Sequence, residues 1–186
     1  NQGSQNVLAT TVKLEAGTDI GQSTDPIEVV GEDLQATSTN GNIYLAASSI
    51  PGVFSSITAG GAGNVSLTNS FGSMTLKAID AGGNTVTVEN TSGAILDGNG
   101  VTTNITANRA VLTATGGIGS GTDSIETDVA ELVTKVTDLS AVTLVTDAGL
   151  TLIDVTTNDG DVTIGSGILT FTDSTSQGLV DARIAV

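Results

Sequence analysis

Two pairs of carboxylates, Asp25 with Glu28 and Asp123 with Glu126, come closest in this chain to an acid–base dyad. Paired carboxylates of this kind could cleave a glycosidic bond, with a Lys or Arg nearby to hold an acidic sugar. The basic residues are Lys13, Lys77, Lys135, Arg109 and Arg183, and none lies at a distinctive spacing from an acid. Each pair therefore reads as a turn acid followed by an outward strand residue. Cys and His are absent, which excludes thiol nucleophiles and every Ser–His arrangement. No catalytic residue is assigned, and the chain is expected not to be an enzyme.

Asp-rich turns on a β-roll can hold calcium through carboxylates and backbone carbonyls. The roll signature places Asp after Gly-Gly-x-Gly-x at a nine-residue period. Gly60-Gly61-Ala62-Gly63-Asn64-Val65 and Gly116-Gly117-Ile118-Gly119-Ser120-Gly121 both lack that Asp. Asp97-Gly98-Asn99 and Asp159-Gly160-Asp161 remain as candidate surface calcium turns, with Asp97, Asp159 and Asp161 as ligands. No other cofactor is implied. Thr-x-Thr occurs at Thr85/Thr87, Thr113/Thr115 and Thr170/Thr172, but its irregular spacing is explained by β-propensity rather than by a ranked, ice-like face.

Elements able to carry these turns must be thin. The chain has 186 residues with 24 Gly, no Trp and 2% aromatic residues, so its core must stack Val, Ile, Leu and Ala. Hydrophobic residues make up 38% and charged residues 13%, a balance that argues against disorder. The formal net charge of −15 repels phosphate backbones and anionic lipid, so nucleic acid is not expected as a partner. Membrane insertion is not expected either, since no apolar run approaches the roughly 18 residues of a spanning helix.

Short runs alternating apolar and polar residues recur along the chain, among them Val12–Leu14, Ile43–Leu45, Val65–Leu67, Val86–Val88, Val142–Val145 and Val162–Ile164. That period of two is the signature of a strand with one buried face. Gly- and Asn-rich turns separate them, and strands begin about every ten residues. The helix-like spacing of Ile125 to Val136 is filled with Thr and reads as strand.

The sequence also repeats. Leu14, Ala16, Ile20, Gly21, Asp25, Ile27, Glu28 and Leu34 recur in order as Leu112, Ala114, Ile118, Gly119, Asp123, Ile125, Glu126 and Leu132, an offset of 98 residues. Residues 1–98 form a first super-repeat, and 99–186 form a second, slightly truncated one that continues it. Each super-repeat spans several coils of about two strands and roughly 20 residues. The expected fold is an all-β parallel solenoid; two tandem β-sandwich domains are the alternative.

Leu14-x-Ala-Gly-x-Asp-Ile-Gly21, Asp25-Pro-Ile-Glu-Val29 and Asn40-Gly-Asn-Ile-Tyr-Leu45 resemble the hemagglutinin-type repeats of very large bacterial surface proteins. Gly63-Asn-Val-Ser-Leu-Thr68, Gly93-Ala-Ile-Leu96 and Asn104-Ile-Thr-Ala107 look like the phrases that follow. Ser140 to Val142 departs from the pattern in the second copy. The resemblance implies an exported adhesin or fibre built as a right-handed parallel β-helix, placed outside the cell or on its surface.

Asn1 in place of an initiating Met points to a processed product or a piece of a longer chain. The apolar Ala182-Arg-Ile-Ala-Val186 provides no cap, and the opening Asn-Gln-Gly-Ser-Gln is too short to cover a coil. The expected partner is therefore the chain itself, stacked head to tail as a homopolymer or continued in a longer repeat chain, with Asn6, Val7, Ile184 and Val186 at the assembly ends. The alternative is an adhesin module that grips a glycan or protein through Tyr44 or Phe54, the latter in the irregular stretch Ser48 to Ser56.

Overall fold

The computed structural model describes residues 5–48, 51–138, 140–146, 150–158, 160–166, 169–171 and 182–183. Among them there is no helix, and the strands join in one 18-stranded sheet whose named pairings are all parallel. The sheet winds into a β-solenoid of about 7 turns, as the alternation and the Gly-rich punctuation predict.

Each coil crosses two walls. In chain order the first wall stacks β1 (Val7–Leu8), β3 (Ile27–Val30), β5 (Ile43–Ala47), β7 (Val65–Asn69) and β10 (Thr85–Asn90). The second wall stacks β2 (Thr11–Ala16), β4 (Asp33–Ser38), β6 (Val53–Ala59), β8 (Met74–Leu76), β9 (Ile79–Asp80) and β11 (Ile95–Asp97). The long β12 (Ile105–Ala114) and β13 (Ile125–Val136) each begin on the second wall and end on the first. Above them β14 (Val142–Thr146), β16 (Val162–Ser166) and β18 (Ala182–Arg183) extend the second wall, while β15 (Leu150–Thr156) and β17 (Leu169–Phe171) extend the first.

Val7, Val29, Ala47, Asn69, Asn90, Ala114 and Val136 lie one above another, so a coil takes between 18 and 24 residues. The core is a pile of such ranks, for example Leu14–Ala36–Ile57–Ile79–Ile105 on the second wall and Ile27–Leu45–Leu67–Val88–Leu112 on the first. The segment with helix-like spacing is strand β13, because Ile125, Thr127 and Val129 alternate inward on one wall and Leu132, Thr134 and Val136 on the other.

Hydrogen-bond direction alternates with side-chain direction. The inward residues Ile20, Ile43, Met74 and Ile95 donate their amides to the coil above, and the outward residues Tyr44 and Thr75 donate to the coil below. Gly63 sits at a corner directly over Gly41, and any Cβ there would collide with the Gly41 carbonyl, so the corner admits no larger residue.

The two super-repeats share their local structure. Asn6 donates its amide to the Glu28 carbonyl and accepts from the Glu28 amide at 2.8 Å; Asn104 and Glu126 repeat both bonds, the second again at 2.8 Å. Gly21 and Gly119 each adopt positive φ at the mouth of a small excursion closed by an antiparallel bridge, Gln22 to Asp25 and Ser120 to Asp123. A β-bulge follows Leu34 in one copy and Leu132 in the other.

The copies nevertheless occupy opposite walls. Leu14 belongs to the second-wall rank that reaches Ile105, whereas its counterpart Leu112 belongs to the first-wall rank that began at Ile27. One super-repeat thus spans about four and a half coils.

Candidate functional surfaces

The outer face of the first wall carries the column Tyr44–Ser66–Thr87–Val111–Val133–Asp154. Beside it run Glu28–Ala46–Thr68–Glu89–Thr113–Lys135 and Thr85–Arg109–Glu131–Thr151. Threonines are therefore interrupted in every column by aliphatic or charged neighbours. Tyr44 faces outward and is half-buried between its neighbours.

Phe54 corrects the sequence reading. Its ring is fully buried between Leu34 below and Leu76 above, so it cannot contact a ligand. Residues 53–56 belong to strand β6 rather than to an irregular insertion. Among the described residues the exposed phenylalanine is Phe71, 51% accessible.

The two acid pairs sit at equivalent places in the two super-repeats. Asp25 and Asp123 lie in the two excursions, while Glu28 and Glu126 follow on strands of opposite walls. Two of the basic residues are engaged with carboxylates, Lys13 with Glu15 at 2.8 Å and Arg109 with Glu131 at 3.4 Å.

Of the calcium candidates, Asp159 lies outside the described residues and Asp161 is exposed. Asp97 is committed to the chain itself. It opens an excursion between β11 and β12 and accepts from the Asn99 amide at 3.0 Å, the Gly100 amide at 2.7 Å and the Asn104 side-chain amide at 2.6 Å. Asn104 is buried and also donates to the Leu76 carbonyl and the Asn99 side chain, so it ties the excursion to the coil below. Among the described residues no three His, Cys, Asp or Glu side chains converge as a metal site.

Burial alone pushes the Asp97 carboxyl up, but the hydrogen bonds from Asn104, Asn99, Gly100 and Gly98 outweigh it and hold its pKa below the ordinary value. A carboxylate depressed in the folded state adds stability above its unfolded pKa of about 3.9, and that contribution fades as pH falls through the lower folded value. Thermal melts between about pH 5 and pH 2 are expected to show a shallower acid loss for Asp97→Asn than for the native chain. Parallel curves would refute this assignment.

Sequence reasoning missed the ladders that clamp coil to coil. The Asp19 carboxylate accepts from the Asn42 amide, the Asn42 side chain from the Asn64 amide, and the Asn64 side chain from the Thr85 amide. Asn69 and Asn90 form a buried pair at 3.1 Å. Their signal was an Asn recurring once per coil, at Asn42 and Asn64 and at Asn69 and Asn90.

At the lower end of the rod, Val7 pairs with Val29, and Asn6 is bonded upward to Glu28. Among the described residues, no strand pairs beneath β1 or β2. Ile184 and Val186, the other expected assembly ends, lie outside the described residues. No protein-family model, curated protein or solved structure matches the chain.

Proposed function

We propose that the chain is a structural segment or subunit of an extracellular bacterial surface fibre that lengthens end to end through strand edges. One observation carries this reading. The second super-repeat grows out of the first without a boundary, since β12 pairs with β10 over six residues, from Thr85 against Arg109 to Asn90 against Ala114. That the unit adds to its own copy in this way supports the reading of a fibre module. The surplus of carboxylates would hold neighbouring rods apart sideways while leaving the ends free to meet. The resemblance of the repeats to surface-protein phrases supports placement outside the cell.

Negative-stain electron microscopy of the purified chain at rising concentration is expected to show filaments one rod wide, without lateral bundles. Isolated short rods at every concentration would overturn the subunit reading.

A further inference from the structure

We propose that Asn40 is a site of self-modification, where the carboxamide condenses with the Gly41 amide and hydrolysis leaves an isoaspartyl or aspartyl residue. Such a change goes beyond the fibre reading and does not depend on it.

An asparagine followed by glycine carries both reactants, since glycine has no side chain to keep its amide away from the neighbouring carboxamide carbon. The Gly41 nitrogen gives up its proton and bonds to Asn40 Cγ; the Cγ–Nδ2 bond breaks, and ammonia leaves with that proton. Water then opens the five-membered imide. Opening at Cγ gives aspartate, whereas opening at the main-chain carbonyl gives isoaspartate, in which the backbone runs through Cβ and Cγ. Water is the only co-reactant.

Asn-Gly occurs at Asn40-Gly41 and at Asn99-Gly100, and the fold treats the two differently. At Asn99 both reactants are held. The Gly100 amide donates to Asp97 at 2.7 Å, while the Asn99 carboxamide donates to the Lys77 and Thr103 carbonyls and accepts from Asn104 at 2.7 Å. At Asn40 neither is held. The residue is exposed, and among the described residues its carboxamide makes no hydrogen bond and the Gly41 amide donates none. The side chain is therefore free to swing onto the amide, and local protection of this kind decides which of two equal motifs reacts.

Isoaspartate does not fit the corner in which it forms. The Asn40 amide is anchored to the Gly17 carbonyl at 3.1 Å, and the Asn42 amide to the Asp19 carboxylate at 2.7 Å. The altered linkage adds one atom to the main chain between those anchors. Gly41 is buried there, against the Thr18–Asp19 backbone on one side and Gly63 on the other, so the added length must be taken up by releasing an anchor. Slow conversion would thus unclamp the first step of the ladder that runs from Asp19 through Asn42 and Asn64 to Thr85.

The test follows peptides spanning each motif by mass spectrometry while the intact chain ages in mildly alkaline buffer, with enzymatic methylation to count isoaspartate. In the folded chain Asn40 is expected to convert at least about tenfold faster than Asn99, and in urea the two should convert at similar rates. Asp97→Ala, which releases the Gly100 amide, should raise conversion at Asn99, and Asn40→Gln should abolish it at that corner. The Asn42 amide of the aged chain should exchange faster than that of the fresh chain. Folded chain in which Asn99 converts as fast as Asn40, or in which Asn40 survives while both sites convert in urea, would overturn the proposal.

Discussion

Phe54→Ala is expected to lower the free energy of unfolding by about 3–5 kcal/mol, read from the denaturation midpoint at constant slope. Among the described residues Phe54 is the largest fully buried side chain, stacked in a rank between Leu34 and Leu76. Gly52 is part of the same fit: a Cβ at that position would lie 2.9 Å from the Phe54 ring and 3.1 Å from the Ala47 methyl. Coils held above and below by parallel pairing have little freedom to collapse into the space left by a missing ring. Phe54→Leu, which keeps most of the volume, should lose well under half as much. A loss below about 1 kcal/mol for the alanine variant would mean that the ring is not packed as described.

The second large effect is expected at Asn104. Asn104→Ala removes the acceptor of the Glu126 amide and the donor to the Leu76 carbonyl, Asp97 and Asn99, all from a side chain 1% accessible. Each buried partner left unsatisfied costs about 1–3 kcal/mol, so a loss of about 2–4 kcal/mol is expected, together with faster exchange at Glu126. Asn6 provides the control. It makes the equivalent bonds to Glu28 but is exposed at the lower end, so Asn6→Ala should cost no more than about 1 kcal/mol. Equal losses at the two positions would contradict the buried network.

The walls were largely legible because the physics behind them is local. A side chain in a strand alternates sides, and Gly or Asn at the corners allows the turn, so Ile43–Leu45, Val65–Leu67 and Val86–Val88 could be placed from sequence alone. The repeat was equally plain, since Ile20-Gly21 and Ile118-Gly119 build the same excursion. Phe54 was misplaced because strict alternation fails there. The bulge that follows Leu34 leaves Leu34 opposite Phe54 and Gln35 opposite Ser56, so Phe54 and Ile57 both turn inward although they are three residues apart. Nothing in the local pattern marks that extra residue. The bonding of Asp97 was equally opaque: its link to Asn104 depends on how the excursion folds that residue back against the Asp-Gly-Asn turn.

The exchange of walls between successive super-repeats sets the spacing of their loops. Gly21 opens its excursion where the chain enters the first wall, and Gly119 opens the matching one where it enters the second. A loop of this kind therefore returns to a given flank only after two super-repeats, about nine coils. In a long fibre any contact made by these loops would recur on one flank at that doubled interval.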